Sequence, residues 1–505
     1  MPQRAKNILI LMSDEQRWDS LGYSGNSAAQ TPHLDGLAQR GTNLERCYTA
    51  YPLCCPARAS LWTGLLPHNH HVFSNWRAIR PALRDHGLVE PFARAGYHTI
   101  YTGKWHVPGT SPARFSFTDT SAIPAIIDGR DRGRYIQEYR AYAIAQGYDL
   151  VANHIENLTP QDVQQLRQPG RAPCGTAAIA LEHFLEPWQT TQFLAALERQ
   201  PDDRPFFAVC SFNAPHFPMI VPAPYDRLVA PESIILSPNF CKGLGGKPDE
   251  VLQSHYYTDL ARLSENEWRR LIAHYLGFCA LIDAQVGRVL EYLRATGALD
   301  NTIVVFTSDH GDMLGSHCLN QKGYPLHYEE TLRVPLLIAH PDLSAGRTIG
   351  GLVSLLDLLP SLAEMAGVPL DQALDGASFA STLTSNDRRT GRDYVTAESF
   401  LVTGEHGGHA EGNGEGHGEY VSADQFDGSR DSVNLSIRTH THRYIFRWRD
   451  RAELYNLTVD PYENHNVAEQ PGTAQIVDEL RQKLAASLQG AFPAVARRLN
   501  REIAM

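Results

Sequence analysis

Residues 302–309 read Thr302-Ile303-Val304-Val305-Phe306-Thr307-Ser308-Asp309, and the fold turns on how that run is read. Within it, Thr302–Thr307 is too short for a helix of its own and carries β-branched and aromatic residues on both sides of a pleat. That is the pattern of a parallel strand covered on both faces. A long amphipathic segment, Leu271–Ala298, precedes it and ends near Gly297. Outward along the chain the same alternation recurs. Asn7–Met12, His98–Thr102, Phe206–Phe212 and Leu336–Ala339 read as strands. Thr31–Ala38 (started by Pro32), Ala59–Leu65, Glu90–Ala95 and Leu355–Ala366 (stopped by Gly367) read as helices. Strands alternating with helices predict an α/β fold, a large mixed but mostly parallel sheet sandwiched by helices. Asp14, Lys104, His216 and Asp309 each follow a strand end, where open α/β sheets place their sites.

The pattern changes near residue 390. Val433–Arg438, Tyr444–Trp448 and Leu454–Leu457 alternate between polar turns, and Ala474–Leu488 reads as a helix. Two units follow: a catalytic unit over 1–390 and a smaller C-terminal unit over 391–505, an antiparallel sheet with a packed helix. Leu401–Tyr420 is rich in Gly, His and Glu without fixed ligand spacing, which reads as a surface loop rather than a metal site.

At 505 residues the chain exceeds one ordinary core. A net charge of −11 argues against a general nucleic-acid binder, which carries basic patches. No stretch approaches the ~20 apolar residues of a membrane span. The apolar run after Lys6 is strand-length with no small-residue cleavage site behind it, so the expected location is cytoplasmic. The 8 cysteines are scattered, with no CxxC pair. A disulfide framework and a structural zinc site are therefore not expected, and the thiols are expected to be reduced.

Cys54-Cys55-Pro56-Ala57-Arg58-Ala59-Ser60-Leu61-Trp62-Thr63-Gly64 fits Cys-x-Pro-x-Arg-x-x-x-x-Thr-Gly without mismatch. This resembles the site at which type I sulfatases, in the alkaline-phosphatase-like superfamily, have a cysteine oxidised to formylglycine. The resemblance continues along the chain. Ser13-Asp14-Glu15-Gln16-Arg17 and Thr307-Ser308-Asp309-His310-Gly311-Asp312 look like the family's metal motifs. Gly103-Lys104-Trp105-His106, Asn213-Ala214-Pro215-His216 and Lys322 with the run Tyr328–Pro335 look like its substrate elements. Leu454–Ala468 looks like its C-terminal signature. There are departures: many members have Asp at the position of Glu15, Asn at that of His310 and Gly at that of Cys318.

The resemblance implies a sulfate monoester hydrolase. Cys54 would be the precursor of the nucleophile, supplied as the hydrate of an aldehyde. Asp14, Glu15, Asp309 and His310, completed by residue 54, would hold one divalent cation. An oxygen-rich set points to Ca²⁺ first, and the imidazole admits Mn²⁺ beside Mg²⁺. Arg58 would pair with the hydrate and the carboxylates, and Lys104 and Lys322 would hold sulfate oxygens. His216, with Lys322, would protonate the leaving alcohol, and His106 would be the base that releases sulfate. Asn75, followed by Trp76, is a further substrate-binding candidate. Implied partners are a small sulfated substrate and a formylglycine-generating enzyme, with no nucleic acid, no membrane, and a homo-oligomer left open. Aryl, sugar and choline sulfates all suit this reading. Two alternatives stand beside it. One is a phosphonate monoester or phosphodiester hydrolase of the same superfamily, a subgroup that lacks the equivalents of Lys104 and His106. The other is an inactive binding protein on the same scaffold, which would have lost part of the constellation.

Overall fold

The structure is a computed structural model, and it describes residues 5–121, 137–151, 157–201, 203–385, 391–402, 428–488 and 490–501. Among them the large sheet runs in the order Arg347–Ser354, Thr42–Tyr48, Leu336–Ala339, Thr302–Ser308, Asn7–Ser13, Phe206–Ser211, His98–Gly103, Asp119–Ser121, with Arg333–Val334 also pairing on Thr42–Tyr48. Most neighbours are parallel, and Leu336–Ala339 is antiparallel to both of its neighbours. Every residue of Asn7–Ser13 and Thr302–Ser308 is buried, as expected of strands covered on both faces. Side chains alternate between two cores. Ile8, Ile10 and Met12 join Trp62 and Leu358 on one side. Leu9 and Leu11 join Trp268, Leu281 and Leu293 on the other. The helices Cys54–Thr63 and Leu358–Ala366 cover the first face, and the helix Glu265–Ala295 covers the second.

A separate sheet pairs Tyr394–Leu401, Ser432–Thr439, His442–Arg447 and Glu453–Asn456, antiparallel throughout. Its Val433, Leu435 and Ile437 pack on Leu480 and Leu484 of the helix Ala474–Ser487. The buried pair Arg443–Glu329, 2.5 Å apart, ties this sheet to the short helix Glu329–Leu332, which leads into Arg333–Val334 of the larger one. The expected loop Leu401–Tyr420 lies, beyond Val402, outside the described residues.

Several sequence expectations are corrected. The helix expected at Ala59 begins at Cys54, and all ten of its residues are buried. Pro56 sits in its first turn, where backbone N–H groups have no partner four residues back, so proline is tolerated there and does not make a separate turn. The long helix begins at Glu265, not Leu271. Ser264 caps it by accepting from Glu267 N–H, a Ser-x-x-Glu signal legible in the sequence. Thr42–Tyr48 and Arg347–Ser354 are strands that the sequence reading left unassigned. Both lie toward one end of the sheet and mix charged with apolar residues, with exposed positions among them. Cys241 and Cys318 form a disulfide, against the expectation of reduced thiols, because the loops carrying them meet in space (Cys241 N–H donates to Gly315 O). The other six cysteines are free and buried.

Candidate active site

Strand register brings the site together. Asn7 pairs with Thr302 and Ser13 with Ser308, while Met12 and Gly103 both pair with Ser211. The residues that follow, Asp14, Lys104 and Asp309, therefore leave the sheet at one edge. The helix Cys54–Thr63 starts there too. Asp14, Cys54, Asp309 and His310 offer donor atoms that all lie within 4.8 Å of one another, and all four residues are buried. His310 Nε2 is 3.1 Å from Cys54 Sγ and 3.7 Å from Asp14 Oδ1. Its Nδ1 donates to Gly311 O at 2.9 Å, so the Nε2 lone pair faces the cluster, the tautomer of a metal-ligating histidine. Two carboxylates, one imidazole and the residue-54 side chain fit a divalent cation with an oxygen-weighted shell.

Arg58 is the counter-charge of this group. Its Nε donates to Asp309 Oδ2 at 2.7 Å, and its Nη2 lies 3.6 Å from Asp14 Oδ2. Nη1 donates to Ser211 Oγ (2.8 Å) and to the Lys104 carbonyl (2.7 Å). Asp309 Oδ1 accepts from the N–H groups of Glu15 and His310, at 3.1 and 3.0 Å. Lys104 Nζ ion-pairs with Asp14 Oδ2 and stands 4.0 Å from Cys54 Sγ. Burial alone would raise the Asp14 carboxyl, but Lys104, with His216 and Arg58, holds it well below the usual range. Burial, reinforced by Asp14, pushes the Cys54 thiol up to about 12. In this setting the unmodified sulfur is a thiol, which is a weak nucleophile.

Asn75 Oδ1 accepts from Cys55 N–H at 3.1 Å, satisfying a free donor of the helix's first turn. The side-chain oxygen of this substrate-binding candidate is thus spent on the backbone at the start of the helix. His106 is buried with a left-handed φ of 56°. Burial, helped by Lys104 and Arg58, holds its imidazole well below the ordinary value, hence neutral. Just before Lys104, Gly103 has φ +95°, and a Cβ there would lie 2.1 Å from the Ser211 carbonyl oxygen. Gly103→Ala is expected to lower the unfolding free energy by about 2 kcal/mol or more and to displace Lys104. Urea unfolding of the variant checks this, and wild-type stability would refute it.

The second half of the site faces the first across Asp14. Lys322 Nζ donates to Glu15 Oε2 at 2.5 Å and lies 3.0 Å from His216 Nε2. His216 Nδ1 sits 2.6 Å from the Phe217 carbonyl. A carbonyl only accepts, so Nδ1 carries the ring proton and Nε2 accepts from Lys322. Burial works against the Lys322 charge, but Glu15 holds its ammonium well above the ordinary value. Burial and Lys322 together depress His216. Glu15, Asp14 and His216 also offer donor atoms within 4.8 Å of one another, a second group of possible metal ligands that shares Asp14 with the first. Asp312 was not singled out from the sequence as a site residue. Its Oδ1 accepts from Gln321 N–H (3.1 Å) and Leu314 N–H (2.6 Å), which folds the loop that carries Lys322. Ser211 was likewise missed, and nothing in its sequence context marks it.

A family model described as Sulfatase matches residues 6–368. The chain is 27% identical to an ulvan-active sulfatase of Formosa agariphila, over 95% of this chain and 80% of that one. It is also 27% identical to an arylsulfatase of Clostridium perfringens, over 96% and 94% of the two chains. In fold it is similar to the phosphonate monoester hydrolase of Agrobacterium radiobacter, with a TM-score of 0.75 at 24% identity over 97% of this chain and 96% of that one.

Proposed function

This chain belongs to the sulfatase family, and from that premise we propose that it hydrolyses a small sulfate monoester with a formylglycine made from Cys54 and one divalent cation. The observation that carries the proposal is the convergence of Cys54, Asp14, Asp309 and His310 at the start of a buried helix. The cation would be held by those four positions and would supply positive charge beside the reacting oxygen. The hydrate of formylglycine, once formed, would supply a geminal diol, one hydroxyl to attack sulfur and a second to expel sulfate, which the Cys54 thiol does not provide.

The chain's own residues do the rest. Arg58 neutralises Asp14 and Asp309 and fixes both carboxylates. Lys104, 4.0 Å from the residue-54 side chain, binds a sulfuryl oxygen from one side, and Lys322 binds from the other. Charge preorganised in this way is usually the largest catalytic contribution. As the sulfur–oxygen bond to the alcohol breaks, the Lys322–His216 pair delivers a proton to the departing oxygen. His106, buried and neutral, accepts the proton that must leave before sulfate does. Overall, one water is consumed and an alcohol and sulfate are formed. The two lysines and the two histidines argue against an inactive scaffold.

A phosphate or phosphonate ester is the second reading, favoured by the Asp309–His310 pair and by the fold likeness to a phosphonate monoester hydrolase. One experiment tests both. Protein whose residue-54 state has been established by mass spectrometry is assayed on a panel of sulfate, phosphate and phosphonate esters, before and after exhaustive chelation. Turnover of sulfate esters above the others, lost on chelation and restored by Ca²⁺, Mg²⁺ or Mn²⁺, is expected. Preference for phosphonate monoesters would select the second reading. Full activity without metal would overturn the cation's role.

A further inference from the structure

We infer that the Tyr256 hydroxyl binds the alcohol half of the substrate, and that this alcohol carries a second oxygen beside the ester, as in a sulfated sugar. The inference rests on the sulfatase reading given above and chooses among the aryl, sugar and choline sulfates that suit it. Tyr256 lies in the short helix His255–Thr258. Its ring is half-buried and packs with the cluster that includes Met313, Leu319 and Leu326. Its carbonyl accepts from Asn320 N–H at 2.9 Å, which fastens the helix to the loop that carries Lys322.

The hydroxyl stands between the two segments that carry the reacting groups. A Cβ added to Gly323 would lie 2.5 Å from Tyr256 Oη and 3.8 Å from Leu53 Cδ1. Gly323 directly follows Lys322, and Leu53 directly precedes Cys54. Gly323 has φ +117°, so a glycine serves both the backbone and the close approach. Among the described residues no group takes the Tyr256 hydroxyl in a hydrogen bond. Burial pushes the phenol up to about 12, with Lys322 pulling it down and Glu15 and Cys54 pushing it up. It therefore keeps its proton at neutral pH and is free to donate it in a hydrogen bond.

Lys322 pairs with His216 on the leaving-group side of the site. A hydroxyl beside Lys322 thus faces the alcohol. A bound substrate covers this hydroxyl and removes its water. A neighbouring hydroxyl or ring oxygen of a sugar accepts its hydrogen bond. A plain aryl ring or a quaternary ammonium offers no oxygen beside the ester and leaves a desolvated donor unpaired, which disfavours binding.

The test compares wild type with Tyr256→Phe, each with residue 54 converted, on the monosulfates of glucose and galactose, on 4-nitrophenyl sulfate and on choline sulfate. The variant is expected to unfold in urea as the wild type does, because no bond within the protein is lost. Its kcat/KM for the best sugar sulfate should fall about 10-fold, mostly through KM. For 4-nitrophenyl and choline sulfates it should rise, because neither then buries an unpaired hydroxyl. An unchanged ratio of sugar to aryl turnover in the variant would overturn the inference, as would a wild type that binds no sugar sulfate more tightly than 4-nitrophenyl sulfate. Should the wild type hydrolyse phosphate or phosphonate esters instead, the sulfate reading fails, and the same ratio is measured with sugar phosphates against 4-nitrophenyl phosphate. Should it turn over none, calorimetric titration of both proteins with the sugar sulfates decides. Binding about 10-fold weaker in the variant supports the inference, and equal affinity overturns it.

Discussion

Cys54→Ala is expected to abolish ester hydrolysis, while Cys55→Ala retains it. The two cysteines are neighbours in the first turn of one buried helix, yet they face different groups. Cys54 Sγ lies 3.1 Å from His310 Nε2 and 3.7 Å from Asp14 Oδ1. Cys55 Sγ instead donates to a backbone group, the Asn75 carbonyl at 3.6 Å. Removing a nucleophile costs a hydrolase on the order of 10⁶-fold in kcat, so turnover of the Cys54 variant should fall to background. Mass spectrometry of the peptide that ends at Arg58 should show thiol-to-aldehyde conversion at Cys54 alone. Activity that survives in Cys54→Ala, or conversion at Cys55, would refute the assignment of the nucleophile.

Arg58→Met is expected to be the most destabilising change at the site. Arg58 is fully buried between Asp14 and Asp309, and its Nη1 donates to Ser211 Oγ and to the Lys104 carbonyl. Methionine fills much of the volume but leaves two buried carboxylates short of a counter-charge. Breaking a buried ion pair on one side costs about 3–5 kcal/mol. The loss should be smaller in the presence of a divalent cation, which binds the folded state and offsets part of the repulsion. Urea unfolding of wild type and variant, each with and without Ca²⁺, measures both quantities. Wild-type stability in the chelated variant would show that Arg58 does not carry this charge balance.

Much of the molecule is legible in local sequence. Thr302–Thr307 and Asn7–Met12 are strands because a strand buried on both faces needs apolar residues at every position, and that need is written into consecutive residues. The helix stop at Gly367 is equally local, since only the residue there must adopt φ +67°. The residue types of the site could be read as well. Cys54, Asp14, Lys104, Asp309 and His310 each follow a strand end or open a helix, and a parallel sheet brings such ends to one edge. Thr42–Tyr48 and Arg347–Ser354 escaped notice because charged and exposed positions break their apolar pattern.

By itself, then, the sequence determined the fully buried strands, the helix stop at Gly367 and which reactive side chains stand at strand ends, because burial and turn chemistry act over a few neighbouring residues. Tertiary structure alone decided how those side chains divide between two clusters. Glu15 follows Asp14 directly, yet it faces Lys322, because an Asp309 carboxylate 294 residues away and a Tyr275 hydroxyl 260 residues away pin its backbone. The Cys241–Cys318 disulfide and the Asn75 hydrogen bond to Cys55 were decided in the same way. Each depends on loops that meet only once the sheet has formed, and no local pattern encodes a contact whose two halves are built independently.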